Sequence, residues 1–294
     1  MRRSLLIAAG LALTAARSGA QQRQREVRVE QITWLSGASA NSPDTETATI
    51  EELHQFIEAA WPQVRYATVR ANARRAWQMI ALGEHVCQPA SVRTPEREKI
   101  AYFTDTLIGP PQQLIVRRDR LAAVPRNAAG EADLARLLAE GRLRGLLVDG
   151  RSYGRGLDAL LAAPAGASSP SLHRFSSSDF GSQIFTMLAL NRADWSIDFD
   201  NELGLQQREE PQLRQLVSLP VAGAGGMVHA GIACPRTPWG LAAIRGIDRA
   251  IGTPAGAALL KRLALNALTP EARQQHARQF DEFYRERAKP SVIR

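Results

Sequence analysis

CQPASVRTPEREKIAYFTDTLIGPPQQLIVRR, residues 87–118, is the stretch on which the fold turns. It is entered by His85-Val86-Cys87, which opens a strand, and left by QLIVR (113–117), a β-branched run that reads as another. Between them stand Thr94-Pro95-Glu96-Arg97, the run Tyr102-Phe103-Thr104-Asp105 and the pair Pro110-Pro111. The residue here with most chemistry to offer is Arg97. A planar guanidinium grips a carboxylate through two parallel N–H donors, where a lysine acts only as a point charge. On the residues alone, pairing of Arg97 with Glu96 or Glu98 at the surface is the plainer reading.

Upstream, VRVEQITWL (27–35) alternates apolar and polar positions and predicts a first strand, followed by a polar loop. Residues 50–61 carry apolar side chains at helical spacing, with Thr49 and Glu52 forming a capping box. A second strand is expected at 66–69 and a helix at 73–82, stopped by Gly83. This β-α-β-α-β order indicates an α/β unit with a largely parallel sheet. Downstream the rhythm repeats. Helices are expected at 131–139 and 182–190, and strands at 144–148, 193–199, 216–221 and 227–233. Pro220 suggests an edge or crossing position. Helices at 239–251, 255–268 and 271–288 close the chain. At 148–154, VDGRSYG, a strand passes into a helix, whose N-terminus would present Ser152, Tyr153 and Gly154 to an anion; Ser152 reads equally well as an ordinary N-cap.

The first twenty residues have a cationic start, Met1-Arg2-Arg3, an apolar stretch from 5 to 16 and small residues at Ser18, Gly19 and Ala20. These are the parts of a cleavable secretory signal peptide, too short for the ~20 residues of a membrane span. Arg2, Arg3 and Arg17 would leave with it, lowering the formal charge from +8 to +5. The remaining arginines are scattered among acids rather than gathered into a stripe, which argues against nucleic-acid binding. The five histidines share no ligand spacing and there is no CxxC, so no metal or other cofactor is expected. No G-x-S-x-G or HExxH stands anywhere, and a non-enzymatic role is expected. Cys87 and Cys234 are the two cysteines, free to pair or to stay apart in an oxidising compartment.

The 87–118 stretch resembles bacterial extracellular solute-binding protein family 3, the periplasmic receptors of polar amino-acid importers, in its Thr-x-x-Arg turn, aromatic run and strand into a second lobe. Val148 to Gly154 is similar to the family's glycine-containing turn, and Asn191-Arg192-Ala193-Asp194 to its Gly-Arg-x-Asp turn. Thr94 to Lys99 and Cys234 to Gly240 also resemble a divergent proteobacterial branch of that family. The resemblance implies an α/β fold of the periplasmic binding protein type 2 kind, two lobes joined by a two-strand hinge. The first lobe would combine residues 27–110 with 222–294, and the second would hold 111–221. It implies a periplasmic, monomeric receptor that takes an amino acid or small carboxylate into the cleft between its lobes. An inner-membrane transporter or sensor would be its partner. The expected ligand residues are Arg97, for the carboxylate, with Ser152 and Tyr153. Trp34 is a cleft aromatic or a core tryptophan, and Asp198 or Asp200 could face an ammonium. The resemblance sets the strand carrying Cys234 beside the one carrying Cys87, which favours a disulfide. The sequence departs from the family after the first strand, where SGASANSPDTETAT replaces a glycine-rich run, and at Ala90 and Val92, where the family carries hydroxyls. A sensor or accessory protein on the same scaffold is the alternative function, and a small-molecule lyase or hydrolase a further one.

Overall fold

The computed structural model describes residues 27–37, 45–176, 181 and 183–293. The expected signal peptide, residues 1–20, lies outside them, as do most of the polar loop after the first strand and Ser182.

In chain order the elements are β1 (Gln31–Ser36), α1 (Thr45–Ala60), β2 (Arg65–Arg70), α2 (Ala73–Ala81), β3 (Val86–Val92), α3 (Pro95–Glu98) and β4 (Ala101–Gly109). The chain then enters β5 (Gln113–Arg117), α4 (Leu134–Glu140), β6 (Gly145–Val148), α5 (Arg155–Ala162), α6 (Pro164–Ala167), β7 (Leu172–Phe175), α7 (Ile184–Ala189), β8 (Trp195–Asp198), α8 (Asp200–Glu209) and β9 (Leu216–Leu219). It returns through β10 (Val228–Pro235) to α9 (Pro238–Ile251), α10 (Pro254–Ala267), α11 (Pro270–Gln275) and α12 (Ala277–Glu286). Two five-stranded sheets result, ordered β2-β1-β3-β10-β4 and β7-β6-β8-β5-β9. The chain passes between them through residues 110–112 and 220–227, so each sheet with its helices forms one lobe.

Neither sheet is largely parallel, contrary to the sequence expectation. β1 runs parallel to β2 and β3, but β10 returns antiparallel to both β3 and β4. In the second sheet β5 is antiparallel to β8 and β9, while β6 is parallel to β7 and β8. The mixture follows from the two crossings: each sheet receives one strand arriving from the other, and that strand enters the opposite way. β9, followed by Pro220, lies at a sheet edge, where a lost donor does least harm.

Local chemistry explains most boundaries. α2 begins where the Asn72 side chain accepts from the Arg75 amide and buries Ala73, Ala76 and Ile80 along one stripe; Gly83, at φ +77°, takes the chain out of it. α3, α9, α10 and α11 each start with Thr-Pro. Thr94, Thr237, Thr253 and Thr269 accept an amide of the first turn, and the proline fills the first helical position, where no amide is needed. α1 begins at Thr45, before the expected capping box, so Thr49 lies within the helix. The expected terminal helix breaks at His276 into α11 and α12.

The first lobe's core gathers Trp34, Ile57, Ile232, Trp239, Ile244 and Phe280, and the second's gathers Leu114, Leu147, Tyr153, Leu157 and Trp195. Trp195 packs against Gly145, where any Cβ would stand 2.3 Å from the indole. A disulfide joins Cys87 of β3 to Cys234 of β10 inside the first core, across a sequence separation of 147 residues.

Candidate site between the lobes

Arg97 lies in the single turn of α3, whose N-cap is Thr94. Its side chain is half-buried, stacked over the Trp77 ring with 4.1 Å from guanidinium carbon to ring centroid. One terminal nitrogen donates to the Val92 carbonyl at 3.0 Å and the other to the Gly150 carbonyl at 3.1 Å, the second bond crossing between lobes. Burial pushes its pKa down to about 10, so the group stays cationic at neutral pH. Neither Glu96 nor Glu98 takes its guanidinium, so the surface-pair reading of the sequence gives way to this cross-lobe bond. The same turn of the second lobe makes a further contact with the first, an ion pair of Asp149 with Arg74 at 3.1 Å.

The other sequence-predicted residues separate. Ser152 is buried and donates to the Asp158 carboxylate at 2.5 Å, while the Tyr153 amide donates to the other oxygen of that carboxylate at 2.8 Å. Asp158 of α5 therefore occupies the donors that were expected to meet an anion. The Tyr153 ring turns into the second core, 1% exposed, and its hydroxyl accepts from the Val148 amide; burial lifts its pKa to about 12. Trp34, also 1% exposed, packs within the first core against His54, with ring centroids 4.2 Å apart. The core reading of Trp34 is the one its surroundings fit. Asp198 is buried and held by both terminal nitrogens of Arg151, at 2.8 and 2.5 Å, and Asp200 accepts from Ser218.

Beside this contact opens a cavity of about 770 Å³ lined by both lobes. The first lobe supplies Arg93 at the end of β3, Thr94, Glu98, Asp105 of β4 and His229 of β10; the second supplies Gly154, Arg155 and Gly156 at the start of α5. Arg93 donates through Nε to Glu98 at 2.7 Å and through Nη1 to both oxygens of Asp105 at 3.2 Å. The His229 Nδ1 stands 3.3 Å from Asp105. Burial alone would raise the Asp105 pKa, but the His229 hydrogen bond and the Arg93 charge outweigh it and hold the carboxyl below its ordinary value. No periodicity singles out Arg93, Asp105, Arg155 or His229. Only the β10–β4 pairing, with a register shift between Ala230 and Gly231, sets His229 near Asp105.

Among the described residues no group of three or more His, Cys, Asp or Glu side chains is placed to hold a metal ion. No helix among them is long and apolar enough to cross a membrane.

No family model matches the chain, and no curated protein does. Solved structures do. An ancestral arginine-binding protein bound to arginine is 13% identical, with a TM-score of 0.59 over 83% of this chain and 100% of that one. A putative L-cystine ABC transporter protein from Listeria monocytogenes is 14% identical, with a TM-score of 0.59 over 84% and 98%. A histidine kinase sensor domain with similarity to periplasmic binding proteins is 16% identical, with a TM-score of 0.52 over 92% and 99%. The chain thus has the periplasmic binding protein type 2-like fold, two α/β lobes joined by two crossings.

Proposed function

We propose that the chain is a periplasmic solute receptor that closes its lobes around a small polar, carboxylate-bearing ligand and presents it to an inner-membrane transporter or sensor. The observation that carries this reading is the cavity of about 770 Å³, walled by both lobes and by Ala224 to Met227 of the returning crossing. A ligand there touches both lobes only when they are closed, so its binding energy drives closure. The volume lies within the usual range for small-molecule pockets. Arg97 does not line the cavity; it follows Thr94 and Pro95 of the lining in the chain and acts as the cross-lobe clasp through Gly150. Ser152 belongs to the same turn, positioned by Asp158.

The test is thermal unfolding of the full chain against carboxylic acids, amino acids and short peptides, with Arg97→Ala alongside. A ligand at a hundred times its Kd stabilises by about 2.7 kcal/mol through mass action. Arg97→Ala is expected to weaken that ligand at least tenfold, because the closed form loses its clasp. A well-folded protein that no member of the panel stabilises sets the reading aside.

A further inference from the structure

We infer that the cavity takes a carboxylate with an apolar body and no ammonium group, held by Arg155. This rests on the receptor reading above and names the ligand class for it. The turn at Gly150 and Arg151 already fills the place where an amino acid was expected. Arg97 is bonded to two carbonyls, Asp198 to Arg151, and Asp158 to Ser152 and the Tyr153 amide.

What remains open is the cavity on the other side of Thr94, and its two walls differ. On the first-lobe wall both acids are engaged. Glu98 takes Arg93, and Asp105 takes Arg93 on both oxygens and His229 on one. A carboxylate has about four acceptor sites, and an ammonium brings three donors that all need partners when water is excluded. Asp105 has spent most of its sites and Arg93 takes Glu98 at Oε1 alone. Glu98 Oε2 is therefore the open carboxylate oxygen among the described residues of this wall, too few acceptors for the three donors of an ammonium.

The second-lobe wall is the reverse. Arg155 lines the cavity at the first position of α5, exposed, and among the described residues it makes no hydrogen bond or ion pair. It has its full fork of donors to offer a carboxylate, at the end of a helix where negative charge is favoured. Around it the lining is largely apolar or bare backbone: Val92, Pro95, Ala159, Met227 and the pair Gly225-Gly226. A Cβ built on either of those glycines would meet nothing within 4 Å, so they border open space. An inorganic anion would leave most of such a volume unfilled, whereas an aliphatic or aromatic carboxylate covers the apolar lining.

The experiment is calorimetric titration of the full chain with three matched series. The first is 4-methylpentanoate and 3-phenylpropanoate, the second leucine and phenylalanine, and the third isopentylamine and phenethylamine. The acids are expected to bind at least tenfold more tightly than the amino acids, and the amines not at all. Arg155→Ala is expected to weaken the acids at least tenfold, with Arg155→Lys recovering part of the loss. Tighter binding of the amino acids overturns the inference and leaves the receptor reading intact, and so does acid binding that Arg155→Ala leaves unchanged. Tighter binding of the amines overturns the inference and the carboxylate part of that reading. If none of the three series binds, the inference falls, and the receptor reading is decided by the wider thermal panel above.

Discussion

Gly150 has a φ of +79°, and a Cβ there would stand 2.6 Å from the Arg74 Cα and 2.7 Å from its amide nitrogen. The obstacle is backbone at the start of α2, so no rotamer change relieves it. A side chain at position 150 also meets the left-handed region that glycine alone enters freely. Gly150→Ala is therefore expected to part the lobes, raising the radius of gyration in small-angle scattering and weakening any cleft ligand tenfold or more. An unchanged scattering curve would mean that the 149–151 turn does not hold the lobes together. The residues alone favour a surface pair of Arg97 with Glu96 or Glu98, and only the family resemblance marks it as a ligand residue. Neither could show the partner, a carbonyl 53 positions away. In the sequence Trp34 stays open between cleft and core, and composition could not show that its ring, like that of Tyr153, is buried in the core of its lobe.

Among the elements, the strands with clean alternation were the most legible, and β5 has the bounds its β-branched run predicts. β4 was not recognised as a strand, because Thr104 and Asp105 interrupt its apolar run, and they do so for a structural reason. Thr104 donates to Asp248 of α9 at 2.5 Å, and Asp248 is in turn paired with Arg287 at the end of α12 at 3.0 Å. Asp248 also accepts from the Ser291 amide at 2.6 Å. Both charged side chains are at most 5% exposed, so the network binds α9, α12 and the tail to β4 in a region without water. Asp248→Ala leaves the Arg287 charge buried without its partner, and urea denaturation is expected to show a loss of about 3–5 kcal/mol. Replacing both, as Asp248→Leu with Arg287→Met, removes the stranded charge and is expected to cost much less. If the double replacement is as damaging as the single one, the network acts by shape rather than charge.

For the molecule as a whole, the twofold α/β rhythm made the two lobes legible, while the mixed sheets were not, because strand direction depends on which segments cross. The crossings also give the disulfide its meaning. Cys87 precedes the excursion into the second lobe and Cys234 follows the return, so the bond closes the first lobe around a loop containing the entire second sheet. In the chain-entropy model a loop of that length contributes about 5 kcal/mol, less where the unfolded chain keeps structure. The bond lies wholly within the first core, so its benefit should be local. Cys87→Ala with Cys234→Ala is expected to speed amide hydrogen exchange in β3, β10 and α9 by several hundredfold or more. Exchange in β6 and β8 should change little, since the second lobe keeps its own core around Leu147, Tyr153 and Trp195. Equal acceleration in both sheets would show instead that the lobes unfold as one unit, and that closure between them contributes to the stability of each.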